Sequence, residues 1–75
     1  MKYEFTGERK KHRGTTVYRI RRLRDGLIGG WIEKEENLSN DGNCFVYDDA
    51  AVCDKAEVEG HAHVSGTRML AATRG

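Results

Sequence analysis

No apolar run in this chain approaches the roughly 18 residues that a membrane-spanning helix needs, and Met1-Lys2-Tyr3-Glu4-Phe5 lacks the apolar stretch of a secretory signal. These absences count against a membrane partner and against export, and a cytoplasmic location is the expectation. Cysteine is sparse. Without an export signal, Cys44 and Cys53 are expected to be free thiols, Cys44 a small core residue and Cys53 at an outer surface or corner. Catalytic apparatus is missing as well: no nucleophile stands in a recognisable pairing with a base, no glycine-rich phosphate loop occurs, and no two carboxylates have a defensible geometry. The expectation is a non-enzyme with no catalytic residue, cofactor or metal.

What is present is a chain of 75 residues, one domain at most, in the size range where a single core is marginal and a partner subunit often completes it. Charged residues make up 33% and hydrophobic residues 37%, a balance that is neither disordered nor membranous. The net charge of +1 hides a division. Met1 to Arg24 holds nine Lys/Arg against two Glu, and Asp25 to Gly75 holds four Lys/Arg against ten Asp/Glu. Such halves pair within a subunit, pair between subunits, or offer two faces to different partners.

From Gly42 the chain falls into rows of six: GNCFVY, DDAAVC, DKAEVE, GHAHVS and GTRMLA. The fifth column reads Val46, Val52, Val58, Val64 and Leu70; the third reads Cys44, Ala50, Ala56 and Ala62 before Arg68 breaks it. A period of six with an internal two suits short strands separated by bends, with the small residue and the valine both facing inward. Phe45, Ala51, Glu57 and His63, lying between them, point outward. Extending the frame backwards gives GWIEKE and ENLSND, where Ile32 and Leu38 hold the third column but Lys34 and Asn40 fall in the fifth, so the repeat begins imperfectly.

This pattern resembles the hexapeptide repeat of left-handed parallel β-helices, in which three repeats make one triangular coil. Gly29-Gly30-Trp31-Ile32-Glu33, Asn37-Leu38-Ser39 and Gly42 to Tyr47, with the strand Tyr18-Arg19-Ile20-Arg21 before them, are similar to small repeat proteins of bacteriophages and prophages that carry a β-stranded N-terminal cap. The resemblance implies an all-β fold: a basic β-hairpin cap over residues 1–29, about two coils of β-helix over 30–71, and a tail at 72–75. Members of the wider repeat family that transfer acyl groups use a histidine at a subunit interface, in much longer coils with an added loop that this chain lacks.

Thr15 to Arg24, TTVYRIRRLR, reads as a strand with Tyr18 and Ile20 toward the cap core and Val17, Arg19 and Arg21 on the other side. Arg9 to Gly14 reads as a charged turn. Tyr3, Phe5 and Tyr18 are expected to form the cap over the first coil with Trp31. Arg9, Lys10, Lys11, Arg13, Arg19, Arg21, Arg22 and Arg24 are candidates for a protein or nucleic-acid contact, because phosphate affinity comes from clustered cations; short charge runs are also commonly plain surface. Asp48, Asp49, Asp54, Glu57 and Glu59 make an acidic outer face, either solvating or a dock for a basic partner. His61 and His63 flank Ala62 and read as surface histidines, since two ligands do not make a metal site. An open end is an unpaired β edge, and Val64, Arg68, Met69 and Leu70 are expected to close it against a second copy. The functional expectation, drawn from the resemblance and the charge division, is a homodimeric phage protein in the host cytoplasm that occupies the surface of a host defence complex, as an anti-CRISPR protein does. The alternatives are a nucleic-acid binder and a stacking unit.

Overall fold

Alternating polar and apolar residues at the N-terminus give β1 (Tyr3–His12) and β2 (Thr15–Arg22), an antiparallel pair. Arg13 and Gly14 join them, both at positive φ (52° and 84°), the backbone of a two-residue turn whose twist matches that of the strands. The stretch expected to be a charged turn is therefore mostly strand: β-sheet pairing continues through Arg9 to His12, and only two residues turn. Phe5 pairs with Ile20 and Arg9 with Tyr18, so Thr6, Gly7 and Glu8 bulge opposite Arg19 alone, with Gly7 at φ 100°.

The computed structural model describes residues 1–72 and is all-β apart from one 3-10 turn, Glu35–Asn37. Of the expected tail, residues 73–75 lie outside the described residues. After the hairpin come β3 (Ile28–Ile32), β4 (Phe45–Val46), β5 (Ala51–Asp54), β6 (His63–Val64) and β7 (Met69–Ala72). They form a five-stranded sheet in the order β1-β2-β3-β5-β7 and a two-stranded sheet β4-β6. The larger sheet is mixed. β2 meets β3 antiparallel, whereas β3, β5 and β7 run parallel. The hairpin thus covers the edge of β3, and β3 crosses the boundary expected at residue 29.

The parallel pairs fix the register of the repeat. Ala51 pairs with Met69, Val52 with Leu70 and Val46 with Val64, each 18 residues apart, three rows of six. Trp31 pairs with Ala51, Ile32 with Val52 and Leu38 with Val58, each 20 apart. Two extra residues therefore enter between Leu38 and Val46. The first two rows are not imperfect but displaced: Ile32 and Leu38 occupy the places of the later valines, and Gly30 holds the small position ahead of Ile32. A Cβ on Gly30 would lie 2.6 Å from the Ala50 carbonyl oxygen. The inserted corner turns at Gly42 (φ 72°), where a Cβ would meet the Gly60 carbonyl at 2.6 Å.

Ile32, Leu38, Cys44, Val46, Ala50, Val52, Val58 and Val64 form one buried cluster, joined by Tyr3 and Ile20 from the hairpin. Each buried aliphatic side chain contributes roughly 1.5–3 kcal/mol over its exposed state. Toward the last row the cluster opens: Ala56 is half-buried and Ala62, expected inside, is exposed, with no strand of the described residues over it. The outward residues differ from expectation in the opposite sense. Phe45 is 1% exposed, with Arg22 over its ring at 5.3 Å and with Gly29 leaving space that a Cβ would fill to 2.8 Å from its Cε2. Ala51 and Cys53 join Val17 and Trp31 in a second buried cluster with Met69 against it. Cys53 is thus buried, not at an outer surface, and Val17 lies on the expected side of β2, but that side is covered. Lys10 and Arg19 lie over Trp31 at 4.4 and 4.8 Å. Trp31 therefore belongs to this outer cluster, whereas Tyr3, Phe5 and Tyr18 pack edge to face in succession at 6.0 Å between centroids.

Candidate functional site: a basic groove between hairpin and repeat

The link from β2 to β3 turns back at once. Gly26 (φ 75°) donates its N–H to the Arg22 carbonyl, and Asp25 accepts the Leu27 N–H at 3.2 Å. This turn places Asp25 against Arg22, whose Nε and Nη2 donate to the two carboxylate oxygens at 3.1 and 2.8 Å. The hydrogen bonds from Arg22, and then that from the Leu27 N–H, hold the Asp25 carboxyl down at about 2. Fixed by Asp25, the guanidinium of Arg22 lies over Phe45 and Tyr47 and donates to the Tyr47 hydroxyl at 3.4 Å. Tyr47 stacks on His63 (5.7 Å, 24°), one circuit later, with its hydroxyl 3.0 Å from His63 Nδ1.

Lys2 closes the groove at the inserted corner. Its backbone N–H donates to Asn40 Oδ1 at 3.1 Å, and its ammonium donates to the Cys44 carbonyl at 2.6 Å and to that of Gly42 at 3.3 Å. Met1 and Leu23, both exposed, form an apolar lip. Arg24, Asn40, Asn43 and His63 line the remainder of a cleft of about 680 Å³. The arrangement presents cations and hydrogen-bond donors beside an apolar rim, a fit for an acidic group carried on an apolar segment. Lys2, Asn40, Asn43 and Tyr47 escape sequence reasoning because the inserted corner that gathers them changes the row spacing.

The structure separates the basic candidates into two groups. Arg19 pairs with Asp49 at 3.9 Å and donates to the Asp48 and Gly29 carbonyls, Arg21 pairs with Glu4, and Arg22 pairs with Asp25. Arg9, Lys10, Lys11, Arg13 and Arg24 make no ion pair among the described residues. The two halves of the charge division thus meet partly within the subunit. Among the acidic candidates, Asp48 and Asp54 sit at corners in left-handed backbone (both φ 57°), and the Asp48 carboxylate accepts the Gly66 N–H at 3.0 Å. Asp49, Glu57 and Glu59 are exposed. Val64 is buried, Arg68 exposed, and Met69 and Leu70 half-buried beside the outer edge of β7. His61 and His63 are both exposed, and no group of three or more His, Cys, Asp or Glu able to hold a metal ion occurs among the described residues. Both cysteines are free and buried, and burial raises the Cys53 thiol pKa. No helix of the described residues is long and apolar enough to cross a membrane.

No family model matches the chain, and no solved structure matches it. Over 46 residues, 60% of this chain, it is 39% identical to the uncharacterized acetyltransferase YdcK of Escherichia coli K12. The chain spans 14% of the length of that curated relative.

Proposed function

We propose that this chain is a non-catalytic protein-binding module on about two coils of left-handed parallel β-helix, and that it acts by occupying the surface of a host protein complex. The parallel rungs at 18-residue spacing support the β-helix. The resemblance to small phage proteins supports a defence effector, of the CRISPR type, as the complex. The groove between hairpin and repeat carries the binding reading, because Lys2, Arg22, Arg24 and His63 surround a cleft with an apolar lip while Asp25 and the corner carbonyls hold two of those cations in place. Its complement is an acidic loop with a flanking apolar side chain. Capture from a bacterial lysate after nuclease treatment is expected to be salt-sensitive and lost on Arg24→Glu, a change at an exposed residue that is expected to leave the circular dichroism spectrum intact. Undiminished capture by Arg24→Glu and by Arg24→Glu/His63→Glu would sink the reading.

The identity with a protein named an acetyltransferase favours a second reading, in which this repeat contributes to acyl transfer with His63 as base. Equilibrium dialysis against acetyl-CoA tests it, and no binding at millimolar ligand removes it. Arg9, Lys11 and Arg13, which make no ion pair among the described residues, favour a third, nucleic-acid binding, whose sign is affinity that falls steeply as salt rises.

A further inference from the structure

The hydrogen bonds around the basic groove run in one direction. Asp25 takes the Nε and Nη2 hydrogens of Arg22, and Nη1 is left to donate to the Tyr47 hydroxyl oxygen at 3.4 Å. A guanidinium only donates, so the phenol oxygen is the receiver there. The phenol has one hydrogen of its own, and His63 Nδ1 lies 3.0 Å from it. With that hydrogen given to Nδ1, every group from Asp25 to His63 is satisfied. With a hydrogen on Nδ1 instead, the phenol oxygen would receive two donors and its own hydrogen would have no partner in the chain of bonds. The satisfied arrangement leaves the imidazole hydrogen on Nε2, the ring nitrogen that Tyr47 does not engage, and His63 lines the groove.

The inserted corner repeats the pattern. The Lys2 N–H occupies Asn40 Oδ1 and leaves the Asn40 amide nitrogen, while the Lys2 ammonium occupies the Gly42 and Cys44 carbonyls. Among the described residues no carboxylate lines the groove, and Arg24 makes no ion pair. The surplus is therefore of donors. We propose that the groove selects a carboxylate over the matching amide, with His63 Nε2–H, Arg24 and the Asn40 amide nitrogen as the donors it offers. Tyr47 is the positioning residue that sets the tautomer of His63. A carboxylate accepts at both oxygens, whereas the NH2 of a glutamine or asparagine side chain would bring a further donor among donors. His63 then donates to the ligand and does not act on it as a base. This inference rests on the binding reading of the groove and names the group that the groove takes.

The test is a nuclear magnetic resonance titration of the nitrogen-labelled chain with N-acetyl-Glu-Leu-amide and N-acetyl-Gln-Leu-amide. It is run at about pH 8.5, where histidine side chains in general are neutral. The ring-nitrogen spectrum is expected to show His63 with Nδ1 bare and Nε2 protonated, and Tyr47→Phe to raise the share with the hydrogen on Nδ1. The glutamate peptide is expected to shift the groove amides and to bind about tenfold more tightly than the glutamine peptide. His63→Met is expected to weaken the glutamate peptide about fivefold, and His63→Gln, which keeps an N–H near the place of Nε2, to restore most of the loss. A hydrogen on Nδ1 in the wild-type chain, equal affinity for the two peptides, or full affinity in His63→Met overturns the inference while leaving the groove a binding site. Binding of neither peptide by the wild-type chain overturns the groove reading and this inference with it.

Discussion

Replacing Asn37 should unfasten the repeat more than replacing any exposed polar residue, and the size of the effect follows from three contacts. Asn37 is 0% exposed, the one buried polar residue among the described residues, at the end of the 3-10 turn. Its Oδ1 accepts the Lys34 N–H at 2.8 Å, and its Nδ2 donates to the carbonyls of Asp54 at 3.2 Å and Ala56 at 2.8 Å on the next circuit. Truncation to Ala leaves one part-buried donor and two part-buried acceptors without this partner. At about 1 kcal/mol net for each of the three hydrogen bonds, the loss is about 3 kcal/mol. A domain of this length holds only about 4–11 kcal/mol in all. Urea unfolding followed by the fluorescence of Trp31, the single tryptophan, measures the loss directly. Asn37→Asp adds a sign check. Its carboxylate would face two carbonyls that need donors, so its folded pKa rises, and the variant gains stability below the unfolded pKa of about 4 and loses it as pH rises. A cost under about 1 kcal/mol for Asn37→Ala, at unchanged urea dependence, would refute the argument that this side chain staples one circuit to the next.

Gly42→Ala places a Cβ 2.6 Å from the Gly60 carbonyl oxygen at φ 72° and is expected to cost about 2–3 kcal/mol, whereas Gly7→Ala, with open space around it, costs about 1 kcal/mol; urea midpoints compare them. Burial, and then Glu35 and Glu36, push the Tyr3 phenol up to about 12. Its stabilising contribution is therefore complete below pH 10 and lost as pH climbs from 10 toward 12, so alkaline unfolding should become less steep in Tyr3→Phe. Cys44 and Cys53 are both buried, and a thiol reagent such as Ellman's is expected to label the native chain only through opening of the fold, at a rate that follows urea concentration.

The aliphatic column was legible because burial acts on it directly: Val46, Val52, Val58 and Val64 all lie inside, at the spacing the rows require. The frame of the first two rows was not. A two-residue insertion leaves Ile32 and Leu38 hydrophobic and correctly placed in space while moving them two columns in a fixed alignment. Outward positions misled for a related reason, since periodicity says which way Phe45 and Ala51 point but not whether a neighbouring segment then covers them. Of the candidate site, His63 and the arginines stand out as chemistry, yet charge composition alone does not separate Arg22, committed to Asp25, from Arg24, which makes no ion pair among the described residues. Asn37 was invisible as a structural residue because its partners are backbone carbonyls 17 and 19 positions later.

The two edges of the five-stranded sheet are unlike in kind. At β1 the bulge at Gly7 and the run of cations spoil the register that another strand would need, whereas β7 pairs with β5 in parallel without a register shift and ends the sheet at the repeat's own spacing. Length is therefore a free variable on one side only. A strand arriving with the repeat's 18-residue register would find its partner at β7 and not at β1, on the side of the sheet away from the hairpin.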